Sequence, residues 1–147
     1  MQERQALLQQ AIQLLSRREY SARELQRKLE PGQDAELVAE ALAELQRQGL
    51  QSDERFAEVW VRHRVLQGHG PIKVQMELRQ KGVAGEVISR VLADGEVDWF
   101  EQARAIYQRR FGLRPPADPR EKARQIRFMQ YRGFNTDQIR YAMETPE

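Results

Sequence analysis

Sliding the chain against itself exposes a repeat, and a repeat constrains a fold before any single motif does. A shift of 46 residues lays Ala11, Leu14, Leu15 and Arg18 over Ala57, Trp60, Val61 and Arg64, and a second such shift reaches Ala103, Ile106, Tyr107 and Arg110. Later in each unit, Val38, Ala41 and Leu42 align with Ile88, Val91 and Leu92, then with Ile139, Ala142 and Met143. Leu78, Lys81, Gly82 and Val83 match Met129, Arg132, Gly133 and Phe134 in the same way. The offset changes between these blocks, so loop lengths vary while the faces of the elements do not. Within each block the apolar spacing is helical, and no run of period two stands out. The chain is therefore expected to be all-α: nine helices in three tandem three-helix repeats, over residues 1–51, 52–97 and 98–147. Small units of this kind stack on their neighbours, which predicts an elongated array. One compact bundle is the competing arrangement.

Start and stop signals agree with that division. Ser21-Ala22-Arg23-Glu24 has the form of a capping box, Asn135 with Gln138 repeats it, and Gly70-Pro71 and Asp118-Pro119 set proline at a first helical position. A glycine is followed by an apolar residue at Gly49-Leu50, Gly82-Val83, Gly112-Leu113 and Gly133-Phe134. In a Schellman ending the residue after the glycine packs on the position five before it, and at Leu45, Leu78 and Met129 that position is apolar. A proline-rich connector, Arg114-Pro115-Pro116-Ala117, lies inside the third repeat.

The composition closes several routes. With no cysteine, disulfides and thiolate zinc sites are excluded, which fits a reducing cytoplasm. No apolar run is long enough to cross a bilayer, and the N-terminus has no signal-peptide pattern. His63 and His69 are the only histidines and have no metal-ligand spacing. Asp53, Glu54 and Glu58 could be imagined as a carboxylate cluster, but they open a helix, where acidic side chains complement the dipole. No phosphate-binding glycine loop or activated nucleophile is recognisable. The reading is of a non-enzyme that needs no metal or cofactor.

What remains is basic residues at helical spacing. The net charge of +2 is uneven, summing to −1 over residues 1–50, zero over 51–97 and +3 over 98–147. Arg120, Arg124, Arg127 and Tyr131 share one helix face, with Ala123, Ile126 and Met129 as the buried stripe beneath. Lys73, Arg79 and Lys81 accompany the helix after Gly70-Pro71, and Arg18, Arg64 and Arg110 end the first helix of each repeat. Such faces can grip phosphates or carboxylates; an ordinary solvated helix face is the plainer alternative.

Five stretches resemble the RecX family of bacterial regulatory proteins: Ser21-x-x-Glu24-Leu25-x-x-Lys28-Leu29, Asp53-x-x-Phe56-Ala57-x-x-Trp60-Val61-x-x-Arg64, Gly68-x-Gly70-Pro71, Glu77-Leu78-x-x-Lys81-Gly82-Val83 and Arg127-Phe128-x-x-x-Arg132-Gly133-Phe134. Each is weak alone, but their order and spacing over almost the whole chain make the set specific. The resemblance implies tandem three-helix units related to helix-turn-helix modules. It also implies a function: binding the RecA recombinase filament in its groove on single-stranded DNA, and limiting filament growth or promoting disassembly. RecA ATPase, strand exchange and co-protease activity would be inhibited, restraining recombination and the SOS response. The partner is then RecA, with single-stranded DNA a further contact through basic residues, and the protein is expected to be a cytoplasmic monomer. Arg64, Lys81, Arg127 and Arg132 match motif positions; with Lys73, Arg79, Arg110 and Arg124 they form the set of contact candidates. Phe56, Trp60 and Leu78 match as well and are read as core, and Tyr131 stands where the family often carries another basic residue.

The alternative function is a helix-turn-helix transcriptional regulator docked in a major groove, although no helix concentrates Arg, Asn and Gln for reading base edges. A purely structural adaptor is a third reading.

Overall fold

The computed structural model describes residues 2–144. Among them there are nine helices and no strand: α1 (Gln2–Leu15), α2 (Ala22–Leu29), α3 (Ala35–Arg47), α4 (Asp53–Leu66), α5 (Pro71–Gln80), α6 (Gly85–Asp94), α7 (Trp99–Phe111), α8 (Pro119–Tyr131) and α9 (Thr136–Met143). The expected repeat boundaries, 51/52 and 97/98, fall in the loops before α4 and α7.

The chain makes two compact units. One takes it through Trp60 and adds Leu78–Val91; the other takes Val61–Glu77 and the chain from Leu92 onward. In the first, α1, α2 and α3 pack mutually around Leu7, Ala11, Tyr20, Leu25, Leu29, Val38, Ala41 and Leu45. In the second, α7, α8 and α9 enclose Ala103, Ile106, Tyr107, Met129, Phe134, Ile139 and Ala142. Equivalent repeat positions are buried alike: Ala11, Ala57 and Ala103 are fully enclosed, and so, within a few per cent, are Val38, Ile88 and Ile139. A small residue at that point of the first helix lets the neighbouring helices close on it.

The helix ends follow their sequence signals except at Gly112-Leu113, where the Gly112 amide donates to the Gln108 carbonyl at 2.8 Å and Leu113 is exposed instead of packing back on the helix. Ser21 Oγ accepts from the Glu24 amide at 3.1 Å while Glu24 Oε1 accepts from the Ser21 amide at 3.1 Å. Asn135 and Gln138 exchange the same pair at 2.8 and 2.9 Å. The predicted Schellman bonds are present from the Leu50, Val83 and Phe134 amides to the Leu45, Leu78 and Met129 carbonyls, at 2.9, 3.1 and 3.2 Å. A further ending of this type closes α4, where Gly68 has φ +85° and the His69 amide donates to the Arg64 carbonyl at 3.1 Å. A histidine in the apolar position hides it from a pattern of glycine followed by a hydrophobe.

Three expectations need correction. Arg18 does not end the first helix, because α1 stops at Leu15 and Arg18 instead stacks on the Tyr20 ring, its guanidinium carbon 3.8 Å from the centroid. Trp60 is only half-buried: it stacks on the buried Phe56 at 5.8 Å between centroids, and Lys81 lies over its ring at 5.2 Å. The buried stripe of α8 is Gln125 with Met129, while Ala123 is half-buried and Ile126 packs at the core's edge. Gln125 is tolerated inside because its amide oxygen accepts from the Tyr107 hydroxyl and its Nε2 donates to Glu121 Oε1 at 3.2 Å, so the buried polar atoms are paired.

Asp53 has a wider role than opening α4. Ser52 Oγ caps that helix by accepting from the Arg55 amide at 3.1 Å, while Asp53 Oδ1 accepts from the Ala22 amide at 2.9 Å and from Gln51 Nε2 at 2.9 Å. Gln51, 2% exposed, also donates to the Tyr20 carbonyl at 3.1 Å. With the Arg55–Glu19 pair at 2.6 Å, this network ties the start of α4 to the turn between α1 and α2.

Candidate partner-binding groove

Two turns meet in the second unit and set the site. The Gly70 amide donates to the Arg132 carbonyl at 2.7 Å and the Ile72 amide to the Gly133 carbonyl at 2.9 Å. This joins the α4–α5 turn to the α8–α9 turn by main chain alone. A Cβ on Gly70 would stand 2.5 Å from the Gly133 carbonyl oxygen, and one on Gly133 would stand 2.5 Å from Lys73 Cβ, so neither position has room for a side chain. Gln102 adds a bond from Nε2 to the Val65 carbonyl at 2.8 Å, holding α7 to the end of α4.

Beside this seam runs a groove of about 200 Å³, lined by Leu66, Gln67, Gly68, Ile106, Arg109, Arg110, Phe128 and Arg132. Three of its walls are guanidinium groups and none is acidic. Arg132 is held in place: Nη1 donates to the Gln67 carbonyl at 3.1 Å, and its guanidinium carbon lies 5.3 Å from the Phe128 centroid. Arg110 lies over Phe128 at 5.4 Å and over Phe111 at 5.9 Å, and Arg124 reaches Phe111 at 5.8 Å. Phe111 and Phe128 meet edge to face at 5.3 Å. Cations and rings thus alternate along α7 and α8, and each ring attracts the charges above it while restricting their movement.

Nearby, burial and then the positive charges of Arg64 and Lys73 hold the His69 imidazole below its ordinary value, so it is neutral at neutral pH and adds no charge. Lys73 sits over the ring of Tyr131 at 5.1 Å, and Tyr131 itself is 81% exposed.

The contact candidates separate into three groups. Arg110 and Arg132 line the groove, Arg124 extends its cation–ring series, and Lys73 and the exposed Arg127 belong to the same unit. Arg64, in that unit too, forms a two-pronged ion pair with Glu77, Nε to Oε1 at 2.9 Å and Nη2 to Oε2 at 2.5 Å. Arg79 and Lys81 lie in the other unit, where Arg79 is exposed and Lys81 pairs with Glu24 at 3.0 Å. Arg124 shares its charge with Glu121 at 2.7 Å, which holds that carboxyl below its usual range.

Sequence spacing missed Leu66, Arg109 and Phe128 as groove residues. The adjacent pair Arg109-Arg110 at a helix end was the available signal for one of them; Leu66, 82% exposed, had none beyond being the second of two hydrophobes, Val65-Leu66, that end α4. No cluster of three or more His, Cys, Asp or Glu residues that could hold a metal occurs among the described residues. No helix among them is long and apolar enough to cross a membrane.

Comparison with known proteins places this architecture. Residues 52–92 match the family model described as the second three-helix domain of RecX, and residues 96–143 match that of the third. The regulatory protein RecX of Halorhodospira halophila is 51% identical over 139 residues, which cover 94% of this chain and 86% of the relative. The RecX proteins of Acidithiobacillus ferrooxidans and Pseudomonas putida are 46% and 42% identical over 90% and 91% of this chain, and over 85% and 86% of their own lengths. The crystal structure of RecX from Lactobacillus salivarius superposes with a TM-score of 0.82 at 18% identity, covering 96% of this chain and 94% of that one. A second RecX crystal structure gives 0.80 at 22% identity, over 95% of this chain and 71% of the other. With motifs, family models and relatives all in agreement, the chain belongs to the RecX family of regulatory proteins.

Proposed function

We propose that this chain binds RecA filaments assembled on single-stranded DNA and inhibits the activities of RecA, restraining strand exchange, co-protease action and the SOS response. The observation that carries the reading is the family match, which runs at 51% identity over 94% of the chain. Regulation here is by binding: the protein acts without catalysis, as a cytoplasmic monomer, and any ATP turnover belongs to RecA. The three-repeat division at 51/52 and 97/98 belongs to the same proposal. Repeated helical modules can engage successive protomers of a filament, and each added contact gains from the high effective concentration that the assembly supplies. The groove of Arg109, Arg110 and Arg132 supports an anionic partner surface.

The test is RecA ATPase on single-stranded DNA with a matched RecA and substoichiometric additions of this protein. Inhibition at low ratios is expected. No effect at saturating protein would sink the reading and leave the transcriptional regulator or the adaptor, which duplex binding distinguishes: a regulator prefers one sequence and weakens steeply with salt, whereas an adaptor ignores DNA.

A further inference from the structure

The groove of the second unit has properties that select its occupant. Its charge is of one sign: Arg109, Arg110 and Arg132 line it and no carboxylate does. Its apolar lining consists of Leu66, Ile106 and Phe128. At about 200 Å³ it is smaller than the roughly 300 to 1,000 Å³ of small-molecule sites, but it can take a side chain. Leu66 at the lip is 82% exposed, and the same unit exposes Ile72, Met76 and Tyr131 at 51%, 52% and 81%. Exposed Leu, Met and Tyr among arginines is the composition of a protein-contact surface.

A nucleic-acid strand would be served differently. Its bases need open ring faces to stack on, and here Phe128 already has Arg110 and Arg132 over its ring, while Leu66 and Ile106 are aliphatic. A carboxylate, by contrast, matches the two-pronged geometry of a guanidinium, and Arg132 is already fixed by Gln67.

We infer that the groove between the end of α4 and α7–α8 is a docking site for an acidic polypeptide segment carrying an apolar side chain between carboxylates. The apolar side chain seats on Leu66, Ile106 and Phe128, and the carboxylates take Arg109, Arg110 and Arg132. This rests on the proposed function, in which the segment belongs to RecA, and it assigns the groove to the protein of the filament and not to its DNA.

The experiment places p-benzoylphenylalanine at position 66 of the full-length chain, irradiates its complex with RecA filaments on oligo-dT, and maps the adducts by mass spectrometry. The expected adduct is a RecA peptide containing Asp or Glu on both sides of an apolar residue. Crosslinking to the oligonucleotide, to a basic RecA segment, or to nothing in a complex that sediments with the filament would overturn the inference and leave filament binding intact. No complex with the unmodified protein would overturn both. In parallel, Leu66→Glu, at a position too exposed to disturb folding, is expected to weaken filament binding about tenfold with unchanged circular dichroism and unchanged affinity for oligo-dT alone. Unaltered filament binding by that variant, or an equal loss on oligo-dT alone, would also overturn it.

Discussion

At Gly70 the absence of a side chain is a requirement of packing. A methyl there would meet a main-chain carbonyl, which cannot rotate away, so Gly70→Ala should cost about 2 to 3 kcal/mol in urea unfolding. Gly85, at the start of α6, has open space around its missing Cβ and no positive φ; Gly85→Ala should stabilise by about 0.5 kcal/mol in the same assay. Charge obeys similar local rules. Burial works to raise the pKa of Glu24, but hydrogen bonds from Lys81 and the Ser21 amide and the charge of Arg18 outweigh it, so the carboxyl is held below its ordinary 4.5. A depressed carboxylate contributes stability that is present above the ordinary value and is lost as pH falls through the folded one. Urea midpoints should therefore drop on acidification below about pH 4.5, and Glu24→Gln should flatten that drop. Here the limit of sequence reading is plain. Glu24 and Lys81 stand 57 positions apart, and Arg64 and Glu77 13, so nothing in local spacing shows that two basic residues at motif positions face carboxylates of their own chain.

Among the elements, caps were the most legible feature, because a cap is made by residues within five positions of one another. The Ser21 and Asn135 boxes and the endings at Gly49, Gly82 and Gly133 depend on nothing more distant. The ending at Gly68 escaped because His69 is polar, and the interior of α8 was misjudged because helical periodicity assigns polar residues to the surface. Gln125 breaks that rule through its bond with Tyr107, contributed by another helix. Gln125→Leu should cost about 1 to 3 kcal/mol, since it leaves the Tyr107 hydroxyl buried without a partner. Adding Tyr107→Phe should recover most of the loss, and the coupling is read from a double-mutant cycle of unfolding free energies.

For the whole molecule, the C-terminal excess of positive charge in the sequence corresponds to the cation–ring series of α7 and α8, but the groove itself depends on Leu66 and Gln67, which lie well before both helices in the chain. Tandem repeats told which faces are buried; they could not tell which loop lies beside which helix. Under the proposed function, Arg127→Glu combined with Arg132→Glu should weaken inhibition of RecA ATPase about tenfold with helicity unchanged by circular dichroism. Inhibition at wild-type strength from the folded variant would remove both residues from the contact set. The seam beside that groove has one more consequence. Its two hydrogen bonds, from Gly70 and Ile72 to the carbonyls of Arg132 and Gly133, use no side-chain atom. Apart from Gly70 and Gly133, which have no room for a side chain, the residues of the two turns are free to drift in identity over evolutionary time without loosening it, whereas one insertion or deletion in either turn would put donor and acceptor out of step. Length in those two turns should thus be the most heritable trait of this part of the chain, and the Arg114–Ala117 connector the place where descendants vary in length.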